Sequence, residues 1–343
     1  MKNATQAARL VLDGALSAHV FPAATVDAGS SDGSLWQDAL GTPLDTPFDL
    51  ASLTKPIATT TIVMDLVERG AMALDEPVAR SAAEWRGDDR SAVALRDLLE
   101  HASGLTARLV DAPPAGRREF EHEICTMPLE YAPRTQSIYS DLGFILLGFL
   151  AADRGREPLD VQFTRLVDRV APGLTFTLPA REQRVAAPTV TLAEDIRRGR
   201  VLAGEVHDNY AAALGGVAGH AGLFGTAAAV GAFGRAVLRA ARGDDSVGAP
   251  LTPAMVRLFT TPSAVPGSSR ALGWDTMRLT SSCGTRMSPS AFGHVGFTGT
   301  SLWIDPDRDR YFVLLTNRVC GGGTIEEMRQ VRRAFHDALG NVD

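Results

Sequence analysis

Ser52 and Lys55 stand three residues apart at the start of an apolar helical stretch, and at that spacing the two side chains share one helix face within reach of each other. A hydroxyl beside a proton-exchanging amine is an activated nucleophile. The free N–H groups of a helix N-terminus favour the negative charge that develops when such an oxygen attacks a carbonyl. Composition singles the pair out further: of 34 Lys and Arg residues, only Lys2 and Lys55 are lysine. Positions that need only positive charge carry Arg, which stays protonated, whereas Lys can be desolvated into a base. A second serine competes. Ser31 in Gly29-Ser30-Ser31-Asp32-Gly33 matches the G-x-S-x-G nucleophile elbow, which requires a strand before and a helix after. Here "SLWQDALG" follows and reads as another strand, so Ser31 belongs to a hairpin turn and an α/β-hydrolase built on it is the minor alternative.

The elements that position these groups are read from local pattern. A helix is expected from about Thr5 to Leu16, then strands at Phe21 to Asp27 and Ser34 to Gly41. Ile57, Val63, Leu66 and Val67 keep helical spacing after Ser52, with Pro56 in the first turn and Gly70 as C-cap. From about Ala79 to Arg200 the chain reads as helical and loop-rich. Phe292 to Ile304 and Tyr311 to Thr316, separated by the turn Asp305 to Asp309, read as a β-hairpin. A closing helix from about Ile325 to Leu339 carries the capping-box pair Thr324 and Glu327 and the apolar face Ile325, Met328, Val331, Phe335 and Leu339. This order predicts an α+β fold: an antiparallel sheet flanked by N- and C-terminal helices, with an inserted all-helical domain. Residues 1–78 plus 205–343 form the sandwich domain and 79–204 the helical one, with the active site at their interface.

Composition excludes several classes of function. The 343 residues, 45% hydrophobic and 22% charged, suffice for more than one core. A net charge of −6 with no long basic block disfavours nucleic acid as a partner. The apolar run from Leu142 to Ala152 is too short for a bilayer span, which takes about 20 residues. Arg9 and Asp13 interrupt the stretch a signal peptide would need after Lys2, so the chain reads as cytoplasmic or already trimmed. Cys125, Cys283 and Cys320 are odd in number and lack C-x-x-C spacing, which points to free core thiols. Neither an H-E-x-x-H pattern nor a comparable ligand set appears, so no metal or other cofactor is expected. Gly215, Gly216, Gly219 and Gly222 do not form a dinucleotide fingerprint. The sequence carries no signal for oligomeric state.

Further segments accompany Ser52-Leu53-Thr54-Lys55 in order. "LRDLLEHASGL" spans Leu95 to Leu105, Tyr139-Ser140-Asp141 precedes the apolar "LGFILLGFL", and His294-Val295-Gly296 opens "GFTGTS". From about Phe48 to the end of the chain, these motifs resemble the penicillin-recognising serine hydrolases. That superfamily holds class C β-lactamases, low-molecular-weight penicillin-binding proteins, and related esterases and D-aminopeptidases. The resemblance implies that Ser52 is the acylated nucleophile, Lys55 its proton-transfer partner, and Tyr139 the Y-x-N tyrosine that accepts and returns the proton. It also implies that His294 to Gly296 replace the K-T-G strand and that the N–H groups of Ser52 and Phe297 form the oxyanion hole. Two departures stand out. His294, an imidazole that titrates near neutrality, replaces the lysine that helps hold a β-lactam or peptide carboxylate. Asp141 replaces the Y-x-N asparagine, and a carboxylate near Lys55 raises that lysine's pKa. The base role then shifts toward Tyr139, with Lys55 lowering the tyrosine's pKa by proximity.

The expected partner is a small-molecule or peptide substrate: a β-lactam, a D-amino-acid peptide from cell-wall turnover, or a short ester. Loss of the third-motif lysine leans toward ester or peptide chemistry. A catalytically idle binding or scaffolding module on the same fold is the alternative, and the presence of all three reactive side chains argues against it. His101 is expected to pack and hydrogen-bond at a helix end, His207 and Asp208 to form a structural pair, and His220 to be a buried hydrogen-bonded histidine.

Overall fold

Along the strand Arg310–Thr316, Phe312 and Leu314 face one side of the sheet while Tyr311, Val313 and Leu315 face the other, following the two-residue period of a strand. In this computed structural model, which describes residues 2–109, 114–190, 195 and 198–340, that strand lies inside a six-stranded antiparallel sheet. It pairs with Ala24–Gly29 (Val26 opposite Leu314) and with Ser301–Asp305 (Phe312 opposite Trp303). Ser34–Leu40 lies outside Ala24–Gly29, and Phe292–Val295 followed by Asp275–Thr276 extends the other side. Both ends of the chain cover one face. Helices Lys2–Ser17 and Ile325–Leu339 bring Ala8, Leu12, Met328 and Phe335 onto Val26, Trp303, Phe312 and Leu314. Helix Ala227–Ala241 covers the opposite face with Val230, Phe233 and Val237. The architecture is the expected α+β one. The closing helix begins with its capping box, Thr324 Oγ1 accepting the Glu327 N–H at 3.1 Å and the Glu327 carboxylate accepting the Thr324 N–H at 2.7 Å.

From that second face the apolar packing continues without a break into the helical region. Ile57, Ile62, Val63 and Leu66 meet Leu98, Leu142, Phe144, Ile145 and Phe163. The helices there are Leu95–Leu99, Arg117–Thr126, Asp141–Gly155 and Leu159–Val167. Gly148 and Gly219 let two backbones touch: a Cβ on Gly219 would sit 2.0 Å from the Phe144 carbonyl oxygen.

Three details depart from the sequence expectation. The run Phe292 to Ile304 is two strands, Phe292–Val295 and Ser301–Asp305, folded back on each other with Val295 opposite Ser301. Gly299, at φ +112°, makes the reversal. Thr298 and Thr300 look like strand residues, but their hydroxyls donate to the carbonyls of Asp49 and Leu50. A short pair, Thr189–Val190 with Val201–Leu202, lies inside the region expected to be all helical; two-residue strands carry no alternation to read. All three cysteines are free, but only Cys125 and Cys283 are buried; Cys320 is half-exposed, its Sγ against the Pro188 carbonyl. Among the described residues no helix is long and apolar enough to cross a membrane, and no group of three His, Cys, Asp or Glu could hold a metal.

Candidate active site

Ser52 sits in a single 3₁₀ turn, Ala51–Leu53, followed by a widened π-helical stretch, Lys55–Thr60, and then the α-helix Thr61–Glu68. This differs from the plain helix expected; widened turns of this kind are rare and cluster at functional sites. Just before the serine, Ala51 is held at φ +48°, a conformation that costs a non-glycine residue about 1–2 kcal/mol. Its surroundings impose it. Asp49 Oδ1 accepts the Ala51 N–H at 2.7 Å, and Asp49 Oδ2 accepts the His207 N–H at 2.6 Å. Thr54 Oγ1 donates to the Ala51 carbonyl at 2.6 Å. In a trans peptide the N–H points opposite the carbonyl, so this bond turns the Ser52 N–H away from Thr54.

Asp49 is a positioning group that sequence reasoning missed. Burial pushes its carboxyl up to about 6 against the hydrogen bonds from His207 and Ala51. The sign follows: the folded state binds the Asp49 proton more tightly than the unfolded chain, so this group's contribution to stability is full below about pH 4 and is lost as pH rises through about 6. Function runs the other way, because the protonated carboxyl accepts the two N–H bonds poorly. Acylation is expected to fall more steeply below pH 6 than above it, and Asp49→Asn to lower its rate about 10-fold and remove that extra steepness. Stopped-flow acylation rates across pH read both; unaltered steepness in the variant would contradict the assignment.

Two side chains converge on the serine oxygen. Tyr139 Oη donates to Ser52 Oγ at 2.7 Å and Lys55 Nζ donates at 3.1 Å. Tyr139 is fixed by the segment after it: Ser140 caps helix Asp141–Gly155 through the Gly143 N–H. The Ser140 N–H donates in turn to His101 Nδ1 at 3.1 Å. The His101 ring packs 4.7 Å from that of Tyr139. Lys55 is fully buried and also bonds Asp141 Oδ1 at 2.7 Å and the His220 carbonyl at 3.1 Å. Burial works to lower the Lys55 pKa, but Asp141 and then Tyr139 more than reverse it, and the ammonium lies above its ordinary value. Tyr139 departs from expectation. Lys55 does pull its pKa down, but burial, with Asp141, outweighs that pull, and the phenol lies above its ordinary value.

Behind Lys55 runs a chain of alternating charges absent from the sequence reading. Asp141 Oδ2 accepts from Arg108 Nη1 at 2.9 Å, the same nitrogen reaches Asp208 Oδ2 at 3.0 Å, and Asp208 Oδ1 lies 2.7 Å from His220 Nε2. Burial works to raise Asp141, but Lys55, His220 and Arg108 hold it below the usual carboxylate range. Asp208 therefore does not pair with His207, whose ring instead stacks on Phe297 at 5.6 Å. Arg108 is one of many arginines, and nothing in its spacing marks it.

His294 lies on the neighbouring strand, 3% exposed, its Nδ1 at 2.8 Å from the Val295 carbonyl. Burial, with Arg270 and Lys55 nearby, pushes its pKa well below the ordinary value, so it is a neutral imidazole and not a group titrating near neutrality. Gly296 and Phe297 follow at the turn. Arg332, buried on the closing helix, donates to the carbonyls of Gly296 at 2.6 Å and Thr300 at 3.0 Å. By the same trans-peptide geometry it turns the Phe297 N–H away from itself. Two lobes meet at Ser52, Tyr139 and Phe297. One, of about 250 Å³, is lined by His294, Arg270, Arg318 and Arg332; the other, of about 300 Å³, by His207, Asp208, Arg108 and Asp141. Ser31 lines neither lobe; it lies in the turn between the first two strands, with its hydroxyl donating to Asp309 Oδ2 at 3.0 Å.

The fold is that of the β-lactamases and transpeptidases. A class C β-lactamase from Rhodobacter sphaeroides superposes with a TM-score of 0.75 at 18% identity, covering 97% of this chain and 98% of its own. EstCE1, described as a hydrolase with promiscuous acyltransferase activity, superposes with a TM-score of 0.77 at 19% identity, covering 99% of each chain. The Beta-lactamase family model matches residues 18–335, and the chain belongs to that family. Among its relatives, a protein of Escherichia coli (strain K12) named "Putative D-alanyl-D-alanine carboxypeptidase" is 30% identical over 322 residues, 84% of this chain and 73% of that one. An N-acetylmuramyl-L-alanine amidase of Bacillus subtilis (strain 168) is 32% identical over 304 residues, 80% of this chain and 68% of its own.

Proposed function

We propose that the chain is a serine hydrolase that forms a covalent acyl-enzyme on Ser52 with an ester or amide substrate. The observation that carries this reading is the convergence of Tyr139 Oη and Lys55 Nζ on Ser52 Oγ where the two lobes meet. In the reactive form Tyr139 is a phenolate stabilised by the Lys55 ammonium. It takes the Ser52 proton as Oγ attacks the carbonyl carbon. Charge on the carbonyl oxygen is received by the N–H groups of Ser52 and Phe297, which Thr54 and Arg332 orient through the preceding carbonyls. As the carbonyl reforms, the scissile bond breaks and Tyr139 returns its proton to the leaving atom. Water then enters by the same proton path and releases the acid. Asp141 and Arg108 hold Lys55 charged and in place and do not touch substrate.

Neutral His294 at the third motif favours peptide or ester substrates over efficient β-lactam turnover. The names carried by the relatives, a carboxypeptidase, an amidase and an acyl-transferring hydrolase, support the same range. Labelled penicillin or a fluorophosphonate is expected to modify Ser52, located by mass spectrometry, and Ser52→Ala to abolish the label. Absence of labelling by both reagents overturns the reading, and labelling of Ser31 would restore the elbow alternative.

A further inference from the structure

All three N–H groups of the Lys55 ammonium are spent: on Ser52 Oγ at 3.1 Å, Asp141 Oδ1 at 2.7 Å and the His220 carbonyl at 3.1 Å. Because these donors keep fixed angles to one another, the two acceptors away from the reaction decide where the third N–H points. One is a side chain on the helix Asp141–Gly155. The other is a backbone carbonyl in the glycine-rich loop Gly215 to Gly222, so whatever holds that loop aims the lysine at the nucleophile. The chain bends over residues 219–221, and two successive carbonyls turn onto the same widened helix. Gly219 accepts from Thr59 Oγ1 at 2.6 Å and His220 from Lys55. Gly219 and Gly222 flank the bend and give it little stiffness of its own.

The His220 ring supplies an anchor. It is buried, and its Nε2 lies 2.7 Å from Asp208 Oδ1. Burial works to raise Asp208, but His220 and Arg108 hold it well below the usual carboxylate range. An ionised carboxylate can only accept, so Nε2 carries the hydrogen. Asp208 is itself fixed: it accepts the Ala211 N–H at 2.8 Å as cap of the helix Asn209–Ala213, and Arg108 Nη1 reaches its other oxygen at 3.0 Å. From Arg108 the contacts return through Asp141 to Lys55. Lys55, Asp141, Arg108, Asp208 and His220 thus close a ring, which His220 enters through both its imidazole and its carbonyl.

Resting on the reading of Ser52 as nucleophile, we infer that His220 is a positioning residue for acylation. Its imidazole pins the bent loop to Asp208 and so holds the carbonyl that directs the third Lys55 N–H at Ser52. The other ring nitrogen, Nδ1, is buried beside the larger lobe and has no partner among the described residues, which makes a direct substrate contact the competing role.

Two substitutions separate these roles. Asparagine is too short to reach Asp208, whereas the amide nitrogen of glutamine falls near the place of Nε2. Single-turnover acylation by p-nitrophenyl butyrate, with the protein in excess, gives a maximal rate and a half-saturating concentration. His220→Asn is expected to lower the maximal rate about 10²-fold, the scale of a misplacement of about 1 Å, with half-saturation within about 2-fold of native. His220→Gln keeps the donor and should stay within about 3-fold of native on both. Asp208→Asn should also slow acylation, and adding His220→Asn to it should cost no more than about 2-fold further, since both remove one anchor. A native maximal rate in His220→Asn, an equal loss in His220→Gln, or a half-saturation that moves while the rate does not, overturns the assignment. If the asparagine variant does not fold, a loss beyond about 10-fold in His220→Gln or a native rate in Asp208→Asn does so. Fluorophosphonate labelling separates the two readings. A native chain without a Ser52 label removes the acyl-enzyme and this role with it, whereas a labelled native chain with an unaffected His220→Asn removes the role of His220 alone.

Discussion

Replacing Tyr139 by phenylalanine is expected to slow acylation of Ser52 about 10³-fold, within the range typical of a lost general base. The fold should survive. The ring keeps its contacts with His101, and only one hydroxyl bond is lost, about 1 kcal/mol. The pH profile gives a sharper readout. On the proposed mechanism the deprotonated phenol is the reactive form, and burial places its pKa above the ordinary tyrosine value of about 10. In the native chain log acylation rate should therefore climb with unit slope through the alkaline range without a plateau at neutrality. In Tyr139→Phe that slope should vanish. Fluorophosphonate rates from pH 7 to 10 measure both, and a near-native rate in the variant would exclude Tyr139 as the base.

Lys55→Met is expected to damage activity and stability together. Activity should drop by about 10³-fold or more, because the phenolate loses the cation that makes it accessible. Stability should fall by about 3–5 kcal/mol, the cost of removing one member of a buried ion pair: Lys55 is fully buried and Asp141 nearly so, leaving the carboxylate with Arg108 alone. Adding Asp141→Asn should recover much of the stability, since it removes the stranded charge, but none of the labelling. Denaturant melts of both variants alongside labelling decide this; a single variant as stable as the native chain would show that the pair adds nothing to folding. Acid has a related effect. Asp141 titrates below the usual carboxylate range, so its contribution to stability is present above pH ~4 and is lost only as pH falls through its depressed folded value.

Much of the site was legible because its signals are local. Ser52 and Lys55 are one turn apart, and a lysine retained among arginines is visible without any structure. Tyr139 and Asp141 precede a strongly apolar helix, and Thr324 with Glu327 marks the start of another. The proximity of Asp141 to Lys55 was readable from their motifs, and so was its effect on the lysine. The residues that escaped are those whose importance depends on partners far along the chain. Arg108 meets Asp208 100 residues away, and Asp49 meets His207 158 residues away. Arg270 and Arg332 look like any other arginine until the sheet brings them to one lobe. The split of Phe292 to Ile304 escaped because the threonines of its turn have strand propensity, and only their bonds to Asp49 and Leu50 show why the chain reverses there.

By itself the sequence determined the α+β order of elements, the motif residues and their succession, since these rest on periodicity, capping and spacing along one chain. Tertiary structure alone decided the protonation states of Tyr139 and His294. Tyr139 carries its proton above the usual range and His294 is neutral, because each pKa is a balance between burial and charges delivered from separate elements. It likewise decided which backbone carbonyls Arg318 and Arg332 hold, since their partners lie on separate elements that only the fold brings together.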